Sequence, residues 1–229
     1  PAYYNDEVII PALQNRGLSL EDARDYNIIG CVEPQKAGKT EGWHDAAFFN
    51  MCRPLELVFA NGMDKGEIVG IPTGDVTQMK SFEEFFDAYK KQMEYCISLL
   101  VNADNAIDVA HAERCPLPFL SCMIDDCLKE GRSVQEGGAV YNFTGPQGFG
   151  IANMADGLFA IRKLVYEDKK VSMKELKEAL AWNYDKGLDA QSAGDMTEMI
   201  MKAMQKAGKE ADASTAAGLL KTFIGMKPG

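Results

Sequence analysis

A thiol and a carboxylate stand two residues apart in Tyr26-Asn27-Ile28-Ile29-Gly30-Cys31-Val32-Glu33-Pro34-Gln35. A thiol exchanges a hydrogen atom with an alcohol C–H at little thermodynamic cost. A carboxylate within hydrogen-bond reach can take the proton of the hydroxyl on that carbon, which eases expulsion of a neighbouring hydroxyl. The apolar run 26–29 predicts a short buried strand, Gly30 and Pro34 predict a tight loop, and Pro34 is expected to end regular structure. Residues i and i+2 of extended backbone face the same side, which would aim Cys31 and Glu33 at a common space. The same letters also fit a buried structural cysteine beside an exposed glutamate.

The elements that must position this loop are read from periodicity and punctuation. Residues 1–17 read as a loop with a strand-like segment at 7–10 and a helical turn before Gly17, and Ser19 reads as the N-cap of a short helix ending near Asp25. From Asp45, the apolar residues Phe48, Phe49, Cys52, Leu55, Val58 and Phe59 predict a helix ending at Asn61-Gly62 and kinked at Pro54. A glycine-rich loop over 63–80, with a brief hairpin at 68–71, precedes the capping box Ser81/Glu84 and a long helix to about His111. Its Phe82, Phe85, Phe86, Tyr89 and Met93 predict a core-facing stripe. Beyond Pro116-Leu117-Pro118 the pattern predicts a helix over 119–128 closed by Gly131, a strand over 140–143, a helix over 152–166, and a helix capped by Ser172 and Glu175 to about Tyr184. The glycines between Gly137 and Gly150 are expected to let backbones pack closely.

Composition narrows the function. The apolar fraction of 46% is that of a globular chain, and 34 acidic against 24 basic residues give a net charge of −10 with no Lys/Arg block. Nucleic acid and anionic membranes are therefore poor partners, and no apolar run approaches the roughly 18 residues of a membrane span. A soluble cytoplasmic protein with reduced thiols is expected. Cys115, Cys122 and Cys127 cluster without the spacing of a zinc or iron–sulfur site, and His44 and His111 do not complete one, so no metal is expected. Lys36-Ala37-Gly38-Lys39-Thr40 is no phosphate loop, because Glu33 occupies the place of the first glycine. Pro146 interrupts any dinucleotide fingerprint. A start at Pro1 and a turn-like Pro228-Gly229 at the other end give the expectation of a piece of something longer.

Gly30-Cys31-Val32-Glu33-Pro34-Gln35, followed by Gly38-Lys39-Thr40-Glu41-Gly42-Trp43-His44-Asp45-Ala46-Ala47-Phe48-Phe49-Asn50, resembles the glycyl radical enzymes of the pyruvate formate-lyase-like kind. Within them the resemblance is to the B12-independent glycerol and propanediol dehydratases. It begins in Pro1-Ala2-Tyr3-Tyr4-Asn5-Asp6-Glu7, continues through residues 108–117, and includes Tyr141-Asn142-Phe143-Thr144-Gly145-Pro146-Gln147-Gly148. It covers about residues 1–180, with 185–229 matching weakly.

The resemblance implies a helix-rich α/β fold, part of a ten-stranded α/β barrel built from two half-barrels, with the cysteine loop threaded into its centre. Residues 1–184 would belong to that catalytic barrel and 185–229 would form a helical peripheral segment. The implied activity is that of a carbon–oxygen lyase, removing water from a small 1,2-diol such as glycerol or propane-1,2-diol to give an aldehyde, in an anaerobic cytoplasm. Cys31 would form the thiyl radical, Glu33 would be the base, and Asp45 would hold a substrate hydroxyl. The resemblance further implies no bound cofactor or metal, a glycyl radical outside this chain installed by a radical S-adenosylmethionine activating enzyme, and a homodimeric full-length enzyme. The family's R-V-x-G-Y radical motif is absent from these 229 residues, so the chain is expected to be a central fragment, inactive alone. Three alternatives stay open: a sister lyase cleaving C–N or C–S bonds (choline or isethionate type), a non-catalytic helical interaction module, and Asp45 as the N-cap of a helix starting at Ala46. Trp43-His44-Asp45 favours the diol, and His44 itself is expected to serve packing or a supporting hydrogen bond.

Overall fold

The computed structural model describes residues 4–185. The chain divides into two units, one of Pro1–Phe49 and Ser98–Gly148, the other of Asn50–Ile97 and Phe149–Gly229. Of the peripheral segment expected over 185–229, residues 186–229 lie outside the described residues.

Local chemistry sets the elements. Asn5 caps α1 (Asp6–Asn15) by accepting from the Glu7 amide at 3.0 Å, and Asp6 and Glu7 sit in the electropositive first turn. This corrects the loop and strand expected over 1–17: three apolar residues in a row carry no period, and the cap decides. Ser19 caps α2 (Leu20–Arg24) as expected, accepting from the Asp22 amide at 3.0 Å. A hairpin of β1 (Asn27–Ile29) and β2 (Glu33–Gln35) follows, then β3 (Thr40–Trp43) and β4 (Phe48–Asn50). The single kinked helix expected from residue 45 is instead a turn, β4, and α3 (Arg53–Phe59). Pro54 lies in the first turn of α3, where its missing N–H has no helical partner to lose, so it starts the helix rather than bending it.

The hairpin β5 (Met63–Asp64) and β6 (Glu67–Ile68) precedes α4 (Phe82–Arg114). Ser81 Oγ accepts from the Glu84 amide at 3.2 Å, and the Glu84 carboxylate reaches back to the Lys80 amide at 2.7 Å. The helix expected over 119–128 is split into α5 (Pro118–Ser121) and α6 (Cys127–Glu130) by Asp126, whose φ of 75° no helix accommodates. β7 (Tyr141–Thr144), β8 (Gln147–Phe149) and α7 (Ile151–Ala160) come next. A π-helical stretch (Ile161–Glu167) continues α7, and Ser172 with Glu175 caps α8 (Met173–Asp185) in both directions.

Among the described residues the strands form four two-stranded sheets, β1-β2, β3-β7, β4-β8 and β5-β6. The β3-β7 pair is parallel, in register from Thr40 opposite Tyr141 to Trp43 opposite Thr144, and a parallel pair demands a long crossover. The α/β character of this helix-rich chain rests on that pair. Each unit has its own core. In the first, Leu13, Leu18 and Ala23 pack with Ile9, Tyr26, Tyr141 and Phe143, and a smaller cluster joins Cys127, Val134 and Ala139. In the second, Leu55, Val58, Val76, Phe85, Tyr89 and Leu158 pack together, so the aromatic stripe of α4 is core as predicted.

Candidate active site

The loop that carries Cys31 is the tip of the β1-β2 hairpin. Ile29 pairs with Glu33, which leaves Gly30, Cys31 and Val32 as a three-residue turn. Gly30 is favoured by its φ of 59°, and a Cβ there would lie 2.6 Å from Glu33 Oε2 and push that side chain aside. The Glu33 side chain folds back over the turn, with Oε2 accepting from the Val32 amide at 2.9 Å. That hydrogen bond, joined by the amides of Glu33 and Cys31 and by the charge of His44, holds the carboxyl below its usual range against the opposing effect of burial. Cys31 is an exposed free thiol, unlike Cys52 and Cys127, which are buried. In the described chain Cys31 is thus not the buried cysteine of the structural alternative. Two expectations are corrected here. Pro34 lies within β2, opposite Ile28, and in a two-stranded sheet such a strand keeps a free edge that tolerates proline. Ile28 and Ile29 are exposed rather than buried, since an apolar run signals a strand without saying what covers it.

Asp45 follows β3 in the turn before β4, and no helix starts at Ala46, so the capping alternative for Asp45 falls. The fold brings Asp45 to Glu33 through a residue that sequence reasoning gave no role, Gln147 at the start of β8. Its side-chain amide donates to Asp45 Oδ1 and lies 3.5 Å from Glu33 Oε1. The signals in the sequence were its place in the glycine-rich stretch after the strand at 140–143 and in the family-like segment 141–148. His44 takes the supporting role foreseen for it: Nε2 is 3.4 Å from Oε1 of buried Gln35, and the ring lies against Gly42.

A charged anchor holds the base of the hairpin. Asp22, buried on α2, accepts from Lys39 Nζ at 2.8 and 3.1 Å and from the Tyr141 hydroxyl at 2.7 Å. Those bonds tie α2 to the residue before β3 and to the first residue of β7. Alongside is a cavity of about 500 Å³ whose lining includes Glu41, Trp43, Asp108, His111, Asn142 and Thr144. Trp43 meets His111 edge-on at 4.9 Å, and Thr144 Oγ1 donates to Asp108 at 2.9 Å. Burial pushes the Glu41 carboxyl up, partly countered by His44. Cys31, Glu33 and Asp45 do not line this cavity, so the candidate site is the hairpin tip and not this hollow. Among the described residues no group of three His, Cys, Asp or Glu side chains could hold a metal ion, and no helix is long and apolar enough to cross a membrane.

The family described as pyruvate formate lyase-like matches residues 1–220. The chain belongs to that family. Its resemblance to the glycyl radical dehydratases extends to solved structures. One, from a study of 1,2-propanediol dehydration in Roseburia inulinivorans, is 62% identical with a TM-score of 0.78, over 99% of this chain and 27% of that one. The glycerol-bound B12-independent glycerol dehydratase of Clostridium butyricum is 51% identical with a TM-score of 0.80, over 97% of this chain and 28% of the other. The (2S)-3-sulfopropanediol dehydratase of Klebsiella oxytoca is 39% identical over 186 residues, 80% of this chain and 22% of that enzyme. The chain thus spans about a quarter of the length of these pyruvate formate lyase-like relatives.

Proposed function

We propose that this chain is the part of a glycyl radical dehydratase that carries the hydrogen-atom relay and the base, acting on a small 1,2-diol such as glycerol or propane-1,2-diol. The observation that carries the reading is the hairpin tip: an exposed thiol on a turn over which an ionised carboxylate is folded, with a second carboxylate joined to the first through one amide. The likeness to enzymes of propanediol and glycerol dehydration supports the choice of substrate class. In the full-length protein, residues 1–184 would contribute to a ten-stranded barrel, with β3 and β7 as neighbouring parallel strands, and 185–229 would be peripheral. Such a barrel would keep solvent from the radical.

A glycyl radical elsewhere in the full-length protein, installed by a radical S-adenosylmethionine activating enzyme, supplies the acceptor that takes the hydrogen atom from Cys31. The Cys31 thiyl then takes a hydrogen atom from the hydroxyl-bearing carbon of the substrate, re-forming S–H and leaving a carbon radical. Glu33 removes the proton of the hydroxyl on that carbon, Asp45 holds the neighbouring hydroxyl, and the neighbouring C–O bond breaks. The departing hydroxyl leaves with that proton as water. The remaining radical takes the hydrogen atom back from Cys31, giving the aldehyde and restoring the thiyl. No metal enters these steps. We assign the reaction to a cytoplasmic, homodimeric enzyme.

The test is Cys31→Ser in the full-length activated protein. An O–H bond is too strong to relay the hydrogen atom, so aldehyde formation from the diol should vanish while the glycyl radical signal persists in electron paramagnetic resonance. Dehydration by the Ser variant would move the relay elsewhere. Wild-type enzyme that releases an amine or sulfite from other substrates, and no aldehyde from a diol, would replace this reading with that of a sister lyase.

A further inference from the structure

We propose that Gln147 is a positioning residue for both carboxylates, its neutral side-chain amide setting the distance between Glu33 and Asp45. A primary amide has two N–H donors, and here its nitrogen faces Asp45 Oδ1 and lies 3.5 Å from Glu33 Oε1. Two carboxylates served by one amide group repel each other, and the hydrogen bonds donated to them oppose that repulsion. Gln147 is itself pinned by main-chain bonds on both sides of Asp45. Its own amide donates to the Ala47 carbonyl at 2.8 Å, and the Gly145 amide donates to the Trp43 carbonyl at 2.8 Å. Gly145 suits that approach, since a Cβ there would lie 3.3 Å from His44 Cα, a tight contact. The strand start that carries Gln147 is therefore bonded to the same turn that carries Asp45, and the side chain reaches across it to Glu33.

The inference rests on the dehydratase reading for its substrate but not for its geometry. A 1,2-diol offers two oxygens at a fixed separation. If Asp45 holds one and Glu33 takes the proton of the other, the spacing of the carboxylates decides how often a bound diol is aligned. Loss of that spacing costs turnover more than binding. Loss of a donor near Glu33, the base in this reading, also makes that carboxylate easier to protonate, so the acidic limb of the rate profile moves to higher pH.

The experiment uses the full-length enzyme, activated and matched for glycyl radical content, as wild type, Gln147→Met and Gln147→Glu. Methionine fills similar space without donors, and glutamate keeps the shape while adding a third carboxylate. The expected result for Met is a fall in kcat of roughly ten- to a hundred-fold, the worth of one or two charge-assisted hydrogen bonds, with a smaller change in KM and an acidic limb shifted upward. Glutamate should lower kcat further and shift the limb more. A Met variant with wild-type kcat and pH profile would reduce Gln147 to a space-filler and overturn the proposal. Should the wild type turn over no diol but another substrate, the dehydratase reading falls and the same comparison is made on that substrate. A crystal structure of the radical-free Met variant gives a readout independent of activity: Glu33 and Asp45 at unchanged separation would overturn the proposal as well.

Discussion

In the unit built on Asn50–Ile97 and the chain after Gly148, Phe85, Val58 and Val76 have no exposed surface, and the Phe59–Phe85 and Phe82–Tyr166 ring pairs meet at 5.5 and 6.3 Å. The unit that carries Cys31 is ordered differently. Its apolar clusters are small, and the surroundings of the hairpin are held by directional bonds: Asp22 to Lys39 and Tyr141, Glu33 to the Val32 amide, Gln147 to Asp45. Apolar packing is non-directional and tolerant of small shifts, whereas hydrogen bonds weaken steeply with distance and angle. The reactive groups thus sit where directional bonds, rather than a large apolar core, surround them. Substitutions in the two units should accordingly fail in different assays.

The largest effect should come from the packed unit. Phe85→Ala leaves a cavity where a ring was fully buried and should cost about 3–5 kcal/mol of stability, measured by denaturant unfolding of the full-length protein. Glu33→Gln, in the other unit, should leave the unfolding midpoint nearly unchanged. If the two variants gave similar midpoints, the contrast between the units would collapse.

Asp45 sharpens the comparison from the other side. A carboxylate holding a substrate hydroxyl contributes charge-assisted hydrogen bonds, so Asp45→Ala should lower kcat/KM for the diol by roughly ten- to a hundred-fold. Asn should keep part of the binding. Because no helix begins at Ala46, Asp45→Ser should be as damaging as Ala. Near-normal turnover by the Ser variant would remove the main support for a diol.

The contrast also separates what the sequence made legible from what it did not. Gly30 marks the Cys31 turn, Ser19, Ser81 and Ser172 mark helix starts, and the stripe from Phe82 to Met93 marks a core, all within a few residues of chain. Local signals failed where two codes overlapped: Pro54 can kink a helix or start one, and Val8-Ile9-Ile10 fits strand or helix equally. The Gln147–Asp45 and Tyr141–Asp22 contacts join residues 102 and 119 apart, and no local pattern announces them. Cys31 and Glu33 stood out as candidates by type and spacing, and Asp45 because its stretch is similar to a known family's. Their relation to each other was not, since it runs through a glutamine whose type signals no chemistry.

The smallest effect expected is one of pH. The Asp22 carboxyl is held below its usual range, chiefly by the Lys39 ammonium, then by the Tyr141 hydroxyl, with burial opposing, and Lys39 is raised in return. A carboxyl lowered by folding contributes stability that is complete above its unfolded pKa of about 4 and is lost as pH falls through the folded value. A raised lysine contributes below its unfolded pKa of about 10.4, and that part is lost as pH rises through its folded value. The pair therefore supports the hairpin base between about pH 4 and 10, and the acid side is the accessible one. Asp22→Asn should lower the thermal midpoint at pH 7, and the gap to wild type should narrow as pH drops below 4 and the wild-type carboxyl protonates. Phe85→Ala, which removes no titrating group, should show a gap that does not follow this titration. A constant gap for Asp22→Asn from pH 7 to 3 would mean that the Asp22 oxygens matter for their shape and not their charge, and the view of a unit held by directed charge would lose its anchor.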